Sequence, residues 1–179
     1  MKRSQRFLLI ALILLAALAV ILFSRLKLAK DTNGVAELLR KERLNADYSS
    51  VISFTGSCTT GKADDLALLW FSIHDPDDPD FVVYRAADCR LLKTGGYLVR
   101  DFPKVTADTD KIFHTIWMGE DIYLVDDPDC RSIVLTQPPA SVLSEITLTP
   151  DDLPYIYVFH PPYGQSDLDF LDAAGRSLR

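Results

Sequence analysis

The chain has 179 residues, which is enough for one domain of ordinary size and hardly for two. Its charges are divided unevenly along the sequence. Residues 1–30 hold six of the 19 Lys and Arg residues and no acid, so the rest carries 13 basic against 25 acidic side chains, a net charge of −12. A body this acidic argues against nucleic acid as a partner, because phosphates need basic contacts.

The first predicted element in chain order is a transmembrane helix. A basic head, residues 1–6, precedes the uncharged and strongly apolar residues 7–23, and about 17–25 such residues cross a bilayer as a helix. A cleavable signal peptide begins in the same way, and Ala17 and Ala19 have the spacing of a cleavage site. Because residues 20–23 continue the apolar run, we expect an uncleaved signal anchor in the cell membrane, with secretion after cleavage as the alternative.

The side of the membrane is predicted from the shape of the N-terminus. Basic residues flank the apolar segment on both sides, so the positive-inside rule does not decide the orientation. A short basic head normally stays in the cytoplasm while the chain behind it is exported. We therefore expect a cytoplasmic head at 1–6, a polar tether at 24–33 and an extracytoplasmic β-rich domain at 34–179.

One short amphipathic helix and a series of short strands are predicted in that domain. Residues 35–44 place apolar side chains at helical spacing. Further along, β-branched and aromatic runs alternate with Asp, Pro and Gly clusters and leave no room for helical crossovers. We expect a mainly β fold, at the margin of α+β, with a mostly antiparallel sheet of short hairpins. The predicted strands are 50–55, 65–74, 80–87, 96–102, 112–118, 120–126, 131–136, 144–149, 154–160 and 167–171.

Residues 55–63, TGSCTTGKA, have the spacing of a phosphate-binding loop between Gly56 and Lys62. Such a loop needs a Ser or Thr after the lysine to bind Mg²⁺, and a helix to follow it. Ala63 occupies the hydroxyl position. We interpret this stretch as the polar connection of a β-hairpin.

Residues 74–80, HDPDDPD, concentrate side chains that are able to bind a metal ion. Calcium takes about six to eight oxygen ligands, which Asp-rich loops supply. The Gly and Glu of an EF-hand loop are absent, however, and Asp-Pro pairs also form ordinary turns. A Ca²⁺ site is one interpretation and a plain turn is the other; the candidate ligands are His74, Asp75, Asp77, Asp78 and Asp80.

The three cysteines form no Cys-x-x-Cys pair, so a structural zinc site is not predicted. Residues 80–92 align without gaps on residues 121–133, with Asp-Cys-Arg coinciding in both, which suggests two similar hairpins. If these hairpins are neighbours, Cys89 and Cys130 can form a disulfide outside the cytoplasm. Buried free thiols are the alternative.

The order of features resembles small membrane-anchored or secreted proteins of Gram-positive bacteria. The shared features are the basic and apolar head, the short helix, an aromatic strand at residues 68–71, Gly95-Gly96 and a final hairpin at residues 171–178. The resemblance implies no functional residue at any position of this chain.

No catalytic residue is predicted. Neither a Gly-x-Ser-x-Gly elbow nor a His-Glu-x-x-His helix occurs, and His114 lies in a predicted strand as a structural histidine. We expect a membrane-anchored extracytoplasmic binding or interaction module with a protein partner at the cell surface. An exported hydrolase or metal-dependent enzyme using His74 and its Asp neighbours is the first alternative, and a structural component of an envelope complex is the second.

Overall fold

The computed structural model describes residues 26–43, 50–137, 141–160 and 166–179, together with Leu15. The predicted transmembrane segment, residues 7–23, lies outside the described residues apart from Leu15. Among the residues that are described, no helix is both long and apolar enough to cross a membrane.

The described residues form one α-helix, α1 (Thr32–Arg43), and twelve strands. All ten predicted strands are confirmed, residues 167–171 with the predicted ends and the other nine with shifted ends. Two further strands, β1 (Lys27–Ala29) and β6 (Thr106–Ala107), were not predicted. A 3₁₀ turn spans Pro150–Asp152. The strands are β1 (Lys27–Ala29), β2 (Val51–Cys58), β3 (Leu66–Asp75), β4 (Asp78–Leu91), β5 (Tyr97–Asp101), β6 (Thr106–Ala107), β7 (Ile112–Trp117), β8 (Glu120–Val125), β9 (Ser132–Gln137), β10 (Ser141–Thr147), β11 (Tyr155–Phe159) and β12 (Asp167–Leu171).

These strands form three antiparallel sheets, which confirms the mainly β fold. Sheet A has the order β1-β5-β4-β3-β2, sheet B the order β11-β8-β7-β6, and sheet C the order β10-β9-β12. Every strand pair is antiparallel. Short turns connect most neighbouring strands, as antiparallel pairing allows.

The helix and the three sheets stack as four layers, with a core between each adjacent pair. Successive side chains of a strand point to opposite faces, and β3 and β8, each covered on both faces, supply two cores apiece. Leu69 and Phe71 of β3 pack with Leu39 of α1. The alternate residues of β3 meet sheet B, in a core that includes Leu68, Trp70, Phe113, Ile122 and Leu124. The third core lies between sheets B and C and includes Tyr123, Val125, Ile133, Leu135 and Phe170.

The helix α1 is stabilised mainly by its apolar stripe. Val35 and Leu39 are fully buried against sheet A, and each such side chain contributes about 1.5–3 kcal/mol relative to exposure. An isolated helix of this length is marginal in water. Packing against sheet A therefore holds the helix in place.

The predicted tether is wrong in its second half. Lys27–Ala29 form β1, which pairs with β5 at the edge of sheet A. The turn at Gly96 makes this pairing possible, because its φ is +84° and an added Cβ would lie 2.5 Å from the carbonyl oxygen of Ala29. Glycine thus permits a close backbone approach that the polar composition of residues 24–33 does not reveal.

The predicted repeat of two hairpins is also wrong. Residues 78–91 form one continuous strand, β4, so Cys89 lies inside a strand. Cys130 lies in the connection between β8 and β9. The chain continues as a strand through Asp88 because residues 88–90 pair with β3 on one side and with β5 on the other.

Candidate functional site

The strand β4 is paired along its whole length on one side and only at its end on the other. β3 pairs with it from Asp78 to Arg90, whereas β5 pairs only with the segment from Asp88 to Leu91. Within the described part of the chain, residues 81–87 therefore have no strand partner on the β5 side. Their backbone groups form an open sheet edge, the kind of template that pairs with another chain.

The edge is open because the chain leaves sheet A immediately after β5. Phe102 is buried in the core beneath α1, and Pro103 has no N–H with which to continue the ladder. The Thr115 hydroxyl then donates a hydrogen bond to the Lys104 carbonyl at 2.9 Å. This bond directs the chain towards β7, where Thr106 and Ala107 pair as β6.

Two adjoining cavities lie between the open edge of β4 and residues 102–107, and we call them together the edge groove. The first has a volume of about 350 Å³ and is mainly apolar; it is lined by Phe81, Val82, Val83, Tyr84, Arg85, Val105, Ala107, Asp110 and Phe113. The second has a volume of about 430 Å³ and is lined by Arg85, Phe102, Pro103, Lys104 and Val105. Arg85 and Val105 line both, so the groove is continuous.

Tyr84 forms the inner wall of the groove and joins sheets A and B. Its ring contacts that of Phe113, with centroids 4.8 Å apart, and its hydroxyl donates a 2.7 Å hydrogen bond to Asp126 Oδ2. Burial raises the pKa of the Tyr84 hydroxyl well above its usual value, and the bond to the Asp126 carboxylate and its negative charge raise it further. The wall is therefore held at fixed spacing by a charge-assisted bond.

Three charged side chains line the groove. Arg85 lines both cavities, Lys104 only the second and Asp110 only the first. Arg85 donates a hydrogen bond to the Tyr84 carbonyl at 3.0 Å. Among the described residues, neither Arg85 nor Lys104 forms an ion pair, although other basic side chains of this acidic body do, such as Arg90 with Asp65. Both cations are thus left without an ion-pair partner among the described residues.

A second polar cluster surrounds Glu120, which is 5% exposed at the turn between β7 and β8. Its Oε1 lies 3.0 Å from Lys62 Nζ and 3.0 Å from His160 Nδ1. Its Oε2 is buried without a hydrogen-bond partner among the described residues. The Glu120 carboxylate, in the turn before β8, thus links the connection before β3, through Lys62, with the connection after β11, through His160.

Cys58 lies beside this cluster, but its environment does not activate a nucleophile. Burial, and then the negative charge of Glu120, raises the pKa of the Cys58 thiol to about 12. A nucleophilic cysteine needs a lowered pKa. Burial also raises the pKa of the other two thiols, that of Cys89 to about 12 and that of Cys130 to about 11.

The predicted metal ligands lie around the turn between β3 and β4. His74 Nε2 is 3.2 Å from the Ser72 hydroxyl, and the carboxylate of Asp75 accepts a hydrogen bond from the Asp77 N–H at 2.9 Å. Asp75 and Asp78 face each other where the two strands meet, and the side chain of Asp80 is outside the described part. No group of three or more His, Cys, Asp or Glu residues in the described part is placed to hold a metal ion. The local hydrogen bonds are those of an Asp-Pro turn, and the Ca²⁺ site stays a prediction.

The predicted disulfide is not formed in this structure, where all three cysteines are free thiols. Cys89 packs in the core between α1 and sheet A. Cys130 packs in the core between sheets B and C. The two thiols occupy separate cores because the hairpins that were expected to be neighbours are not equivalent elements.

Two further predictions concern Lys62 and His114. Lys62 binds the Met118 carbonyl at 2.9 Å as well as Glu120, and a strand rather than a helix follows it, which agrees with a hairpin connection. His114 lies on β7 with Nε2 2.8 Å from Asp121 Oδ1, and its ring contacts Tyr123. Both contacts satisfy the imidazole within the fold.

The edge groove and the Glu120 cluster were not predicted. No local signal in the sequence marks the open edge: exposed edges usually carry charges, so the uncharged run Phe81-Val-Val-Tyr84 is typical of a covered strand. Arg85, Lys104 and Asp110 gave no signal because their proximity depends on where β5 ends. No protein-family model matches this chain, and searches against curated proteins and against solved structures gave no significant match.

Proposed function

We propose that this protein is a non-catalytic binding module that accepts an extended segment of a partner protein at the edge groove. The observation that supports the proposal is the unpaired stretch of β4, residues 81–87, which faces cavities large enough for side chains. In strand addition, main-chain hydrogen bonds to an open edge supply affinity, and pockets for alternate side chains supply specificity. The edge groove offers both.

An open edge of this composition also needs a partner for solubility. Phe81 is 56% exposed at the start of the edge, and residues 81–84 carry no charge. Long, apolar and uncovered edges promote aggregation, which natural proteins avoid by charges, bulges or a covering segment. Occupation by a partner strand would cover this one.

The geometry gives less support to the alternatives. An exported hydrolase or metal-dependent enzyme would use His74 and its Asp neighbours, whose hydrogen bonds in the described part of the chain are the local ones of a turn. The metal-dependent alternative has a direct test, because an ion that binds the folded protein raises its melting temperature. If thermal unfolding curves in calcium and in a chelator superimpose, the metal-dependent alternative is eliminated. A structural envelope component would use exposed apolar strands such as β10, where Val142 is 60% exposed.

We further propose that residues 7–23 anchor the module in the cell membrane with the β-rich body outside the cytoplasm. The support is the basic head and the apolar run of the sequence. β1 begins at Lys27, and the four residue steps from Phe23 span at most about 14 Å. The β1 edge of sheet A would therefore lie close to the bilayer. A reporter that is active only outside the cytoplasm, fused after Arg179, tests this orientation; activity supports it and inactivity refutes it.

The binding proposal is tested by filling the groove. Ala107 is exposed and lines the first cavity, so Ala107→Trp blocks the groove with little effect on the core. Thr94→Trp, at an exposed turn outside the groove, is the matched control. Phage-displayed random decapeptides are selected on the full chain in detergent. We expect peptides whose binding is lost in Ala107→Trp and retained in Thr94→Trp; if no selected peptide is sensitive to Ala107→Trp, the proposal is wrong.

A further inference from the structure

We infer that the edge groove recognises extended segments in which an acidic residue lies two positions from a large apolar residue, with the carboxylate bound between Arg85 and Lys104. This inference rests on the proposed function and specifies its ligand. The ligand is a strand of a different protein, carrying Asp or Glu at the end that lies over the second cavity.

The first cavity determines the apolar part of the ligand. Its volume of about 350 Å³ and its walls from Phe81, Val83 and Phe113 suit one large aliphatic or aromatic side chain. Pockets lined in this way bind apolar groups, and a few polar groups fix the orientation. Because side chains of an added strand alternate, the residue next to the buried one points away, and the following one returns to the groove.

The second cavity determines the charged part. Arg85 and Lys104 line it, and among the described residues neither is neutralised by a carboxylate. A carboxylate accepts two hydrogen bonds from a guanidinium, which makes arginine the preferred residue for such recognition. An acidic side chain of the ligand therefore completes an arrangement that the chain itself leaves open.

Asp110 sets the direction of the ligand. Asp110 lines only the first cavity and Lys104 only the second, so an acid of the ligand is favoured at the end beside Lys104. The same charge logic disfavours a second copy as the occupant. The body of each copy carries a net charge of −12 beyond residue 30, and two such bodies repel each other.

The test uses the same phage-displayed random decapeptides, now selected on wild type and on the Arg85→Gln/Lys104→Gln variant. If the double variant is unstable, Lys104→Gln alone takes its place, because Lys104 is exposed and its substitution leaves the core unchanged. Lys93→Gln, an exposed lysine outside the groove, is the control. Selected peptides are then synthesised with each acid replaced by its amide, and their affinities for the full chain are measured by calorimetry.

We expect Asp or Glu to be enriched two positions from an apolar residue in the peptides whose binding is lost in Ala107→Trp. Replacing that acid by its amide should weaken binding to wild type about tenfold or more, and should have less than about a threefold effect in the double variant. Peptides that depend on the groove but show no acid preference would overturn this inference and leave the binding proposal intact. Peptides indifferent to Ala107→Trp would overturn both. Self-association that Ala107→Trp abolishes would identify a second copy as the occupant and would also overturn the inference.

Discussion

Replacing Tyr84 by Phe removes one hydroxyl group and leaves the aromatic packing unchanged. The hydroxyl donates its 2.7 Å hydrogen bond to Asp126 Oδ2 across the interface between sheets A and B. Tyr84 is 4% exposed, so the lost bond is not replaced by water at the tyrosine side. The substitution therefore isolates the contribution of a single bond at the inner wall of the edge groove.

The expected loss of stability follows from the type of bond. A hydrogen bond to a charged group contributes about 1.5–3 kcal/mol. Asp126 is half-buried and regains some contact with water, so we expect a loss near the lower end of that range, about 1–2 kcal/mol. For a chain of this size, 1 kcal/mol corresponds to a melting temperature change of about 2–4 °C. The variant should therefore melt about 2–8 °C below the wild type.

The assay is urea unfolding followed by circular dichroism, with the double-mutant cycle formed by Tyr84→Phe and Asp126→Ala, which removes the acceptor. Tyr97→Phe is the control, since Tyr97 is a half-buried tyrosine beneath α1 whose hydroxyl has no hydrogen-bond partner in the described part of the chain. We expect a change below about 0.5 kcal/mol for the control. If Tyr84→Phe is as mild as the control, or if the two groove substitutions are additive, the bond does not stabilise the interface as reasoned here.

Two further predictions concern the thiols and a glycine turn. Burial raises the pKa of the Cys58, Cys89 and Cys130 thiols above the unfolded value of 9.0. Their contribution to the free energy of unfolding is therefore complete below about pH 9 and is lost as the pH rises towards 11–12. Plots of stability against alkaline pH for the wild type and for the triple Ala variant should converge in that range, and parallel plots would contradict this. Gly96→Ala should destabilise by about 1–3 kcal/mol, because its φ is positive and the new Cβ would meet the Ala29 carbonyl. Gly95→Ala shares the positive φ but points into open space, so equal losses at the two positions would show that the contact with β1 does not matter.

Much of the fold was predictable because the evidence for each strand is local. The ten predicted runs show period-two or continuous apolar patterns between turn residues, and such patterns identify strands independently of their partners. The continuous run of residues 66–71 belongs to β3, which is covered on both faces. What such patterns do not contain is the pairing between strands that are far apart in sequence.

The errors arose where a distant contact overrides local composition. Residues 88–90, Asp-Cys-Arg, look like a turn, but pairing with β3 and β5 on both sides keeps them in β4. The polar segment before α1 looks like a tether, but β5 provides an edge on which Lys27–Ala29 pair. The edge groove depends on the difference in length between β4 and β5, which is a property of register and not of any single segment.

The central claim is that residues 81–87 present an open edge, and residue-specific amide hydrogen exchange measured by NMR tests it without a ligand. We expect an alternating pattern in this stretch, with amides that face β3 protected and those that face the edge groove exchanging rapidly. From Asp88 to Leu91, where β5 also pairs, both sets of amides should be protected. Uniform protection of residues 81–87 in the peptide-free protein would mean that this edge is already covered, and would contradict both the binding module and its proposed ligand.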